Sequence, residues 1–198
     1  MTEFITAVLN REFEKASDML EKNKNVMNDK DDQKDTAILI ASREGKTDVV
    51  DFLIKNGADL NDRGTIGYTP LMFAAEEGRI DTAKLLIDKG ADIHLINNPG
   101  NNAIIIASQE GRIDVVDMLI KAGANINQKN GDGESPLSLA IDLKHSKKMV
   151  DLLTENGATR GGLNKKSRKR KTKKSRKPKK SRKPKKSRKS RKTRRNKK

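Results

Sequence analysis

The 198-residue chain has no cysteine and no tryptophan, and only one tyrosine, four phenylalanines and two histidines. Without cysteine there is no disulfide framework, no thiolate metal site and no cysteine nucleophile, which fits a reducing compartment. Long apolar runs are missing too: nowhere does the sequence approach the ~20 apolar residues needed to span a bilayer. The start, MTEFITAVLNREFEKASDML, carries acids where a signal peptide has a basic region, and its apolar run is too short for an h-region. A soluble intracellular protein is expected. Acids vanish from the last 34 positions, where Lys165 to Lys198 hold 24 of the 44 lysines and arginines and none of the 27 acids. The body before Lys165 therefore carries −7 and the tail +24, and the overall +17 describes neither part.

What is present is a repeat. Segments beginning at Asp35, Tyr68, Asn101 and Glu134 align at a step of 33 residues, and a weaker copy runs from Ala7 to Val26. Each predicts two short helices. The first opens at Thr36, Thr69, Asn102 or Ser135, side chains that can accept an orphan backbone N–H, with Pro70 and Pro136 at the tolerated first helical position. It closes at Gly45, Gly78 or Gly111. The second carries apolar pairs at helical spacing, such as Val49, Val50, Leu53 and Ile54, or Val115, Val116, Leu119 and Ile120, and ends at Gly57, Gly90, Gly123 or Gly157. One such pair cannot cover its own apolar face and needs neighbours on both sides.

The step of 33, TPL at Thr69 to Leu71, SPL at Ser135 to Leu137, and GADLN, GADIH and GANIN together resemble the ankyrin repeat. The resemblance covers Ala7 to about Thr159. It implies an all-α solenoid of helix-turn-helix units with short hairpin loops over residues 1–160, divided at about 1–33, 34–66, 67–99, 100–132 and 133–160. A disordered C-terminal tail, 161–198, would follow. Two departures stand out. The family's His after TPL is replaced by Leu39, Met72, Ile105 and Ser138, so apolar packing should replace its polar ties. The last repeat has Lys144 in place of the helix-ending glycine and one extra residue near His145 and Ser146, so its inter-helix turn should be irregular.

Ingredients for catalysis are few. His94 aligns with Asn61 and Asn127, a loop position, and His145 lies in the last turn; neither has the spacing of a zinc ligand. Gly64 and Gly67 are followed by no GK[ST], so they belong to the repeat and not to a phosphate loop. The carboxylates recur on surface positions without converging. No enzyme, metal or cofactor is expected.

The resemblance also implies a binding face, since ankyrin folds hold partners at the hairpin tips and the exposed side of the first helices. Carried onto this chain, the contact residues are Asp32, Asp35, Glu44, Ile66, Tyr68, Glu76, Glu77, Asn101, Glu110, Asp132, Glu134 and Asp142, beside Gln33, Arg43, Thr65, Asn98, Pro99, Gln109, Gly131 and Leu143. Nine of these twenty are acidic and only Arg43 is basic. Such a face raises the local concentration of a basic ligand, so a protein partner with a basic surface is expected, with Tyr68 and Ile66 as anchors. The plainer alternative is that the acids solvate helix faces. A monomer is expected.

After Thr159 the sequence RGGLN breaks the pattern, and no apolar residue follows Leu163. Like charges this dense cannot bury enough surface to fold. KKSR occurs four times, supplying Lys165, Lys166, Arg168, Lys173, Lys174, Arg176, Lys179, Lys180, Arg182, Lys185, Lys186 and Arg188, and resembles the core of a nuclear-import signal. Nucleus or nucleolus is expected in a eukaryotic cell, otherwise cytoplasm. With no aromatic residue to stack on bases, nucleic-acid contact through the tail would run through phosphates and ignore sequence. Three functions follow: a protein-binding scaffold with a targeting tail, a nucleic-acid compaction protein in which the tail is the active part, or an adaptor recruiting clients to a degradation machine.

Overall fold

The computed structural model of the protein describes residues 1–159. They form five helix pairs: α1 (Glu3–Leu9) and α2 (Phe13–Lys22), α3 (Ala37–Glu44) and α4 (Thr47–Lys55), α5 (Pro70–Glu76) and α6 (Ile80–Asp88), α7 (Ala103–Gln109) and α8 (Ile113–Lys121), α9 (Pro136–Asp142) and α10 (Lys147–Glu155). No β-strand occurs among the described residues, only one bridge between Lys30 and Thr36. Short 3-10 turns lie at Lys24–Asn28 and Thr65–Gly67.

Side-chain caps start most of the first helices. Thr69 accepts from the Met72 amide at 3.3 Å and Asn102 from Ile105 at 3.2 Å. At α9 the tie is reciprocal: Ser135 accepts from the Ser138 amide at 3.3 Å while Ser138 Oγ accepts from the Ser135 amide at 2.8 Å. Ser138 thus makes a local cap, whereas Leu39, Met72 and Ile105 at the matching positions are fully buried in apolar packing. Thr36 departs from the expected cap. Its hydroxyl is 2.6 Å from Asp62 Oδ2, so the threonine ties its repeat to the following loop and leaves the α3 amides uncapped by a side chain.

The first helices are apolar nearly all round, because α3, α5, α7 and α9 stack in a row and α5 and α7 are covered on both sides. Ala103 to Ser108 are all buried. The second helices are amphipathic. Val115, Val116 and Leu119 turn inward on α8, and α4, α6, α8 and α10 form the outer row. Phe13 stacks on Phe52 at 4.7 Å, joining the first pair to the second.

A further regularity links the rows. The residue after each first-helix turn reaches back one repeat to a main-chain carbonyl: Lys46 Nζ to Leu9 at 3.1 Å, Arg79 Nε to Arg43 at 3.2 Å, Arg112 Nε to Glu76 at 2.9 Å. His145 Nε2 takes the same place on Gln109 at 2.8 Å. Carbonyls at a helix C-terminus lack intrahelical partners and attract positive charge; the lysine and arginine rungs meet both needs, and His145 supplies the hydrogen bond. The rungs also explain the glycines beneath them. Gly45, Gly78 and Gly111 have φ of 75, 68 and 70°, and an added Cβ would lie 2.7 to 3.0 Å from Arg79, Arg112 or His145.

The last turn is more regular than expected. Lys144 adopts the same left-handed conformation, φ 58°, and the His145 amide bonds Ala140 as the Arg112 amide bonds Ala107. The extra residue is absorbed at Ser146, which takes the N-cap position of α10 without a side-chain hydrogen bond and starts the helix one position late.

Candidate functional site

The hairpin tips are zipped at the same period. Thr65 Oγ1 donates to the Gln33 carbonyl at 2.5 Å, the Asn98 amide to Ile66 at 2.9 Å and the Gly131 amide to Pro99 at 2.9 Å. In this zipper Ile66 is held at φ 59°, a conformation that a β-branched residue adopts at a cost of about 1–3 kcal/mol. Its side chain is 52% exposed.

Below Ile66, between the second and third repeats, lies a pocket of about 460 Å³ lined by Gln33, Asp35, Arg43, Thr65, Ile66, Tyr68, Phe73 and Glu76. Its aromatic wall is Tyr68 against Phe73, ring centres 5.0 Å apart, with the Arg43 guanidinium 5.1 Å over Phe73. Arg43 is paired with Asp35 at 3.1 Å. The Tyr68 hydroxyl donates to Glu76 at 3.3 Å, and burial, then the Glu76 charge, push its pKa up to about 12. The Glu76 carboxyl is also raised above its ordinary value, by burial first and further by the charges of Glu110 and Glu77 against the opposing Tyr68 hydrogen bond.

The expected contact residues divide. Asp32, Glu77, Glu110, Asp132 and Asp142 are exposed, and Tyr68 and Glu76 are half-buried. Glu44 pairs with Lys46 at 2.7 Å, and Asp32 lies 3.9 Å from the N-terminal ammonium. Asp35 and Glu134, expected on the surface, are instead buried at 2 and 5% exposure. Asp35 is held by Arg43, and its Oδ1 sits so near Gly64 that a Cβ there would lie 2.4 Å away. Gly64 is therefore required by close approach, its φ being −79°. Glu134 accepts from Asn130 Nδ2 at 3.2 Å, and Asn101 accepts from that same amide at 2.9 Å, a tie between neighbouring tips.

Phe73 and the rungs were not among the expected functional residues. The rungs had a signal, a basic side chain or His directly after the turn residue at steps of 33; Phe73 had none, since its helix is apolar throughout. His94 is a loop residue, its amide bonded to Asp92 at 2.8 Å, as expected. Among the described residues no group of His, Asp and Glu is placed to hold a metal, and no helix is long and apolar enough to cross a membrane. The basic residues expected to meet nucleic acid or an import receptor, Lys165 to Arg188, lie outside the described residues.

Stacked helix pairs at a 33-residue step, closed by glycine turns, are the architecture of a repeat solenoid. The model for ankyrin repeats (3 copies) matches residues 4–97 and 90–162, and the chain belongs to the ankyrin-repeat family. Ankyrin repeats are generally protein–protein interaction modules, typically without catalysis. No curated protein matches the chain.

Proposed function

We propose that the protein is a non-catalytic, monomeric scaffold that holds a basic segment of a partner protein across its hairpin tips and first helices. The carrying observation is charge. With Asp35 and Glu134 withdrawn into the structure, the contact set still holds seven acids, and its one cation, Arg43, is neutralised by Asp35. Acids this concentrated on a face steer basic ligands and select against acidic ones.

The test reverses four charges in the full chain, Glu76, Glu77, Glu110 and Asp142 to lysine, and measures binding of a fluorescent lysine-rich dodecapeptide. Affinity should fall more than about tenfold. Reversing Asp51, Asp88, Asp117 and Asp151 on the second helices should leave most of it. Equal losses from both sets would reduce the face to net-charge attraction and overturn the reading.

The proposal extends to 161–198 as a separate basic tail serving nuclear or nucleolar delivery, or sequence-independent contact with nucleic acid. What supports it is the density of lysine and arginine with no aromatic or acid among them. Binding of duplex DNA should be blind to sequence, and log affinity should fall with log salt by about 0.9 for each phosphate neutralised. Glutamine in place of Lys173, Lys174, Lys179 and Lys180 should flatten that slope; an unchanged slope would remove the tail from the contact.

A further inference from the structure

Resting on that reading of the face, we propose that the pocket between the second and third repeats seats one basic side chain of the partner, its alkyl stem on Tyr68 and Ile66 and its cationic head at Glu76. Part of the pocket's charge is already satisfied within the fold. Asp35 and Arg43 neutralise each other at 3.1 Å, and the Arg43 guanidinium is committed to the Phe73 face. Glu76 is the pocket carboxylate that forms no ion pair among the described residues, reached by the Arg43 charge only more weakly than by burial and its acidic neighbours. It is half-buried, its hydrogen bond in the pocket is a long 3.3 Å contact from the Tyr68 hydroxyl, and Glu77 and Glu110 stand near enough to repel it.

An uncharged apolar side chain would remove more water from Glu76 and return nothing to it, because a buried carboxylate needs a donor or a countercharge. A second acid is repelled. A lysine or arginine answers both parts of the lining: methylenes for the aromatic and isoleucine wall, a cation for Glu76 and its two neighbours. The volume, about 460 Å³, admits one long side chain and not a helix. Ile66, held in its left-handed conformation by the Asn98 amide, is exposed at the rim, where it can cover the stem. One of the buried Asp35 oxygens has no hydrogen-bond donor among the described residues.

The probes are N-acetyl-lysine methylamide, its arginine counterpart, and N-acetyl-norleucine methylamide, which keeps the stem and lacks the charge. Each is titrated into the labelled full chain at millimolar concentration and followed by NMR. Lysine or arginine should give saturable shifts at Tyr68, Phe73 and Ile66 that fade with added salt, and the stronger of the two identifies the preferred head group. Norleucine should give none. Glu76→Gln and Tyr68→Ala should each weaken binding about five- to tenfold, while Glu155→Gln, at the far end of α10, should not change it. Equal binding of norleucine, shifts spread over all acids without saturation, or no effect of Glu76→Gln would each overturn the pocket. If these occur while the four-charge reversal still abolishes binding of the lysine-rich peptide, the face remains a binding surface and the pocket alone fails.

Discussion

Glu76 shows how a single residue can work against the fold that carries it. Its carboxyl is raised above the usual range on folding, so the folded chain holds it charged less well than the unfolded chain does. Such a group costs stability above its folded pKa, and the cost disappears as pH falls below its unfolded value. Glu76→Gln should therefore raise the urea midpoint at about pH 7 and leave it unchanged at about pH 3. A loss of stability at neutral pH would show that the charged form is held for structural reasons. Leu119 is the opposite case. It has no exposure at all, and Leu119→Ala should cost about 2–5 kcal/mol by denaturant unfolding. Its interior place was legible from its spacing with Val115 and Val116. The burial of Asp35 was not, because it depends on Arg43 eight residues on and on Gly64 a repeat away, contacts that no local pattern announces.

At the scale of the loop and the helix, the repeats can be compared with one another. Asn61 Oδ1 accepts the Asp92 amide at 2.9 Å, and Asn127 Oδ1 accepts the Thr159 amide at 2.7 Å, each stitching one loop to the next. His94 occupies the intervening position, and among the described residues its ring makes no such bond. His94→Asn should supply the missing stitch, to the Asn125 amide, and stabilise the chain by about 0.5–1.5 kcal/mol. Lys144 is the second exception. Lysine bears the left-handed strain there, as Arg11 does in the first repeat, where Gly45, Gly78 and Gly111 stand in the others. Lys144→Gly should recover about 1 kcal/mol, measured by the same unfolding curves. The glycine turns were legible because glycine is the residue that most readily takes a positive φ, as Gly45, Gly78 and Gly111 do. The regular geometry at Lys144 was not, since a basic residue in αL is a choice made by the surrounding turn. Thr36 was likewise read as a cap from its type, and the competing acceptor, Asp62, lies 26 positions away.

For the whole molecule, stability comes from interfaces between adjacent pairs, and the apolar residues that make them end before the basic tail. Deleting 165–198 should leave the helical circular-dichroism signal and the Tm nearly unchanged, and a large loss of helix would mean that the repeats depend on it. The rungs carry a consequence of another kind. Lys46, Arg79, Arg112 and His145 all end on main-chain oxygens, which every amino acid possesses. A rung therefore makes no demand on the side chain of the residue whose carbonyl it takes, and the turn residue beneath it is Arg11 in one case and Gly45, Gly78 or Gly111 in the others. Through this tie, neighbouring repeats can be joined while the exposed side chains around the joint vary.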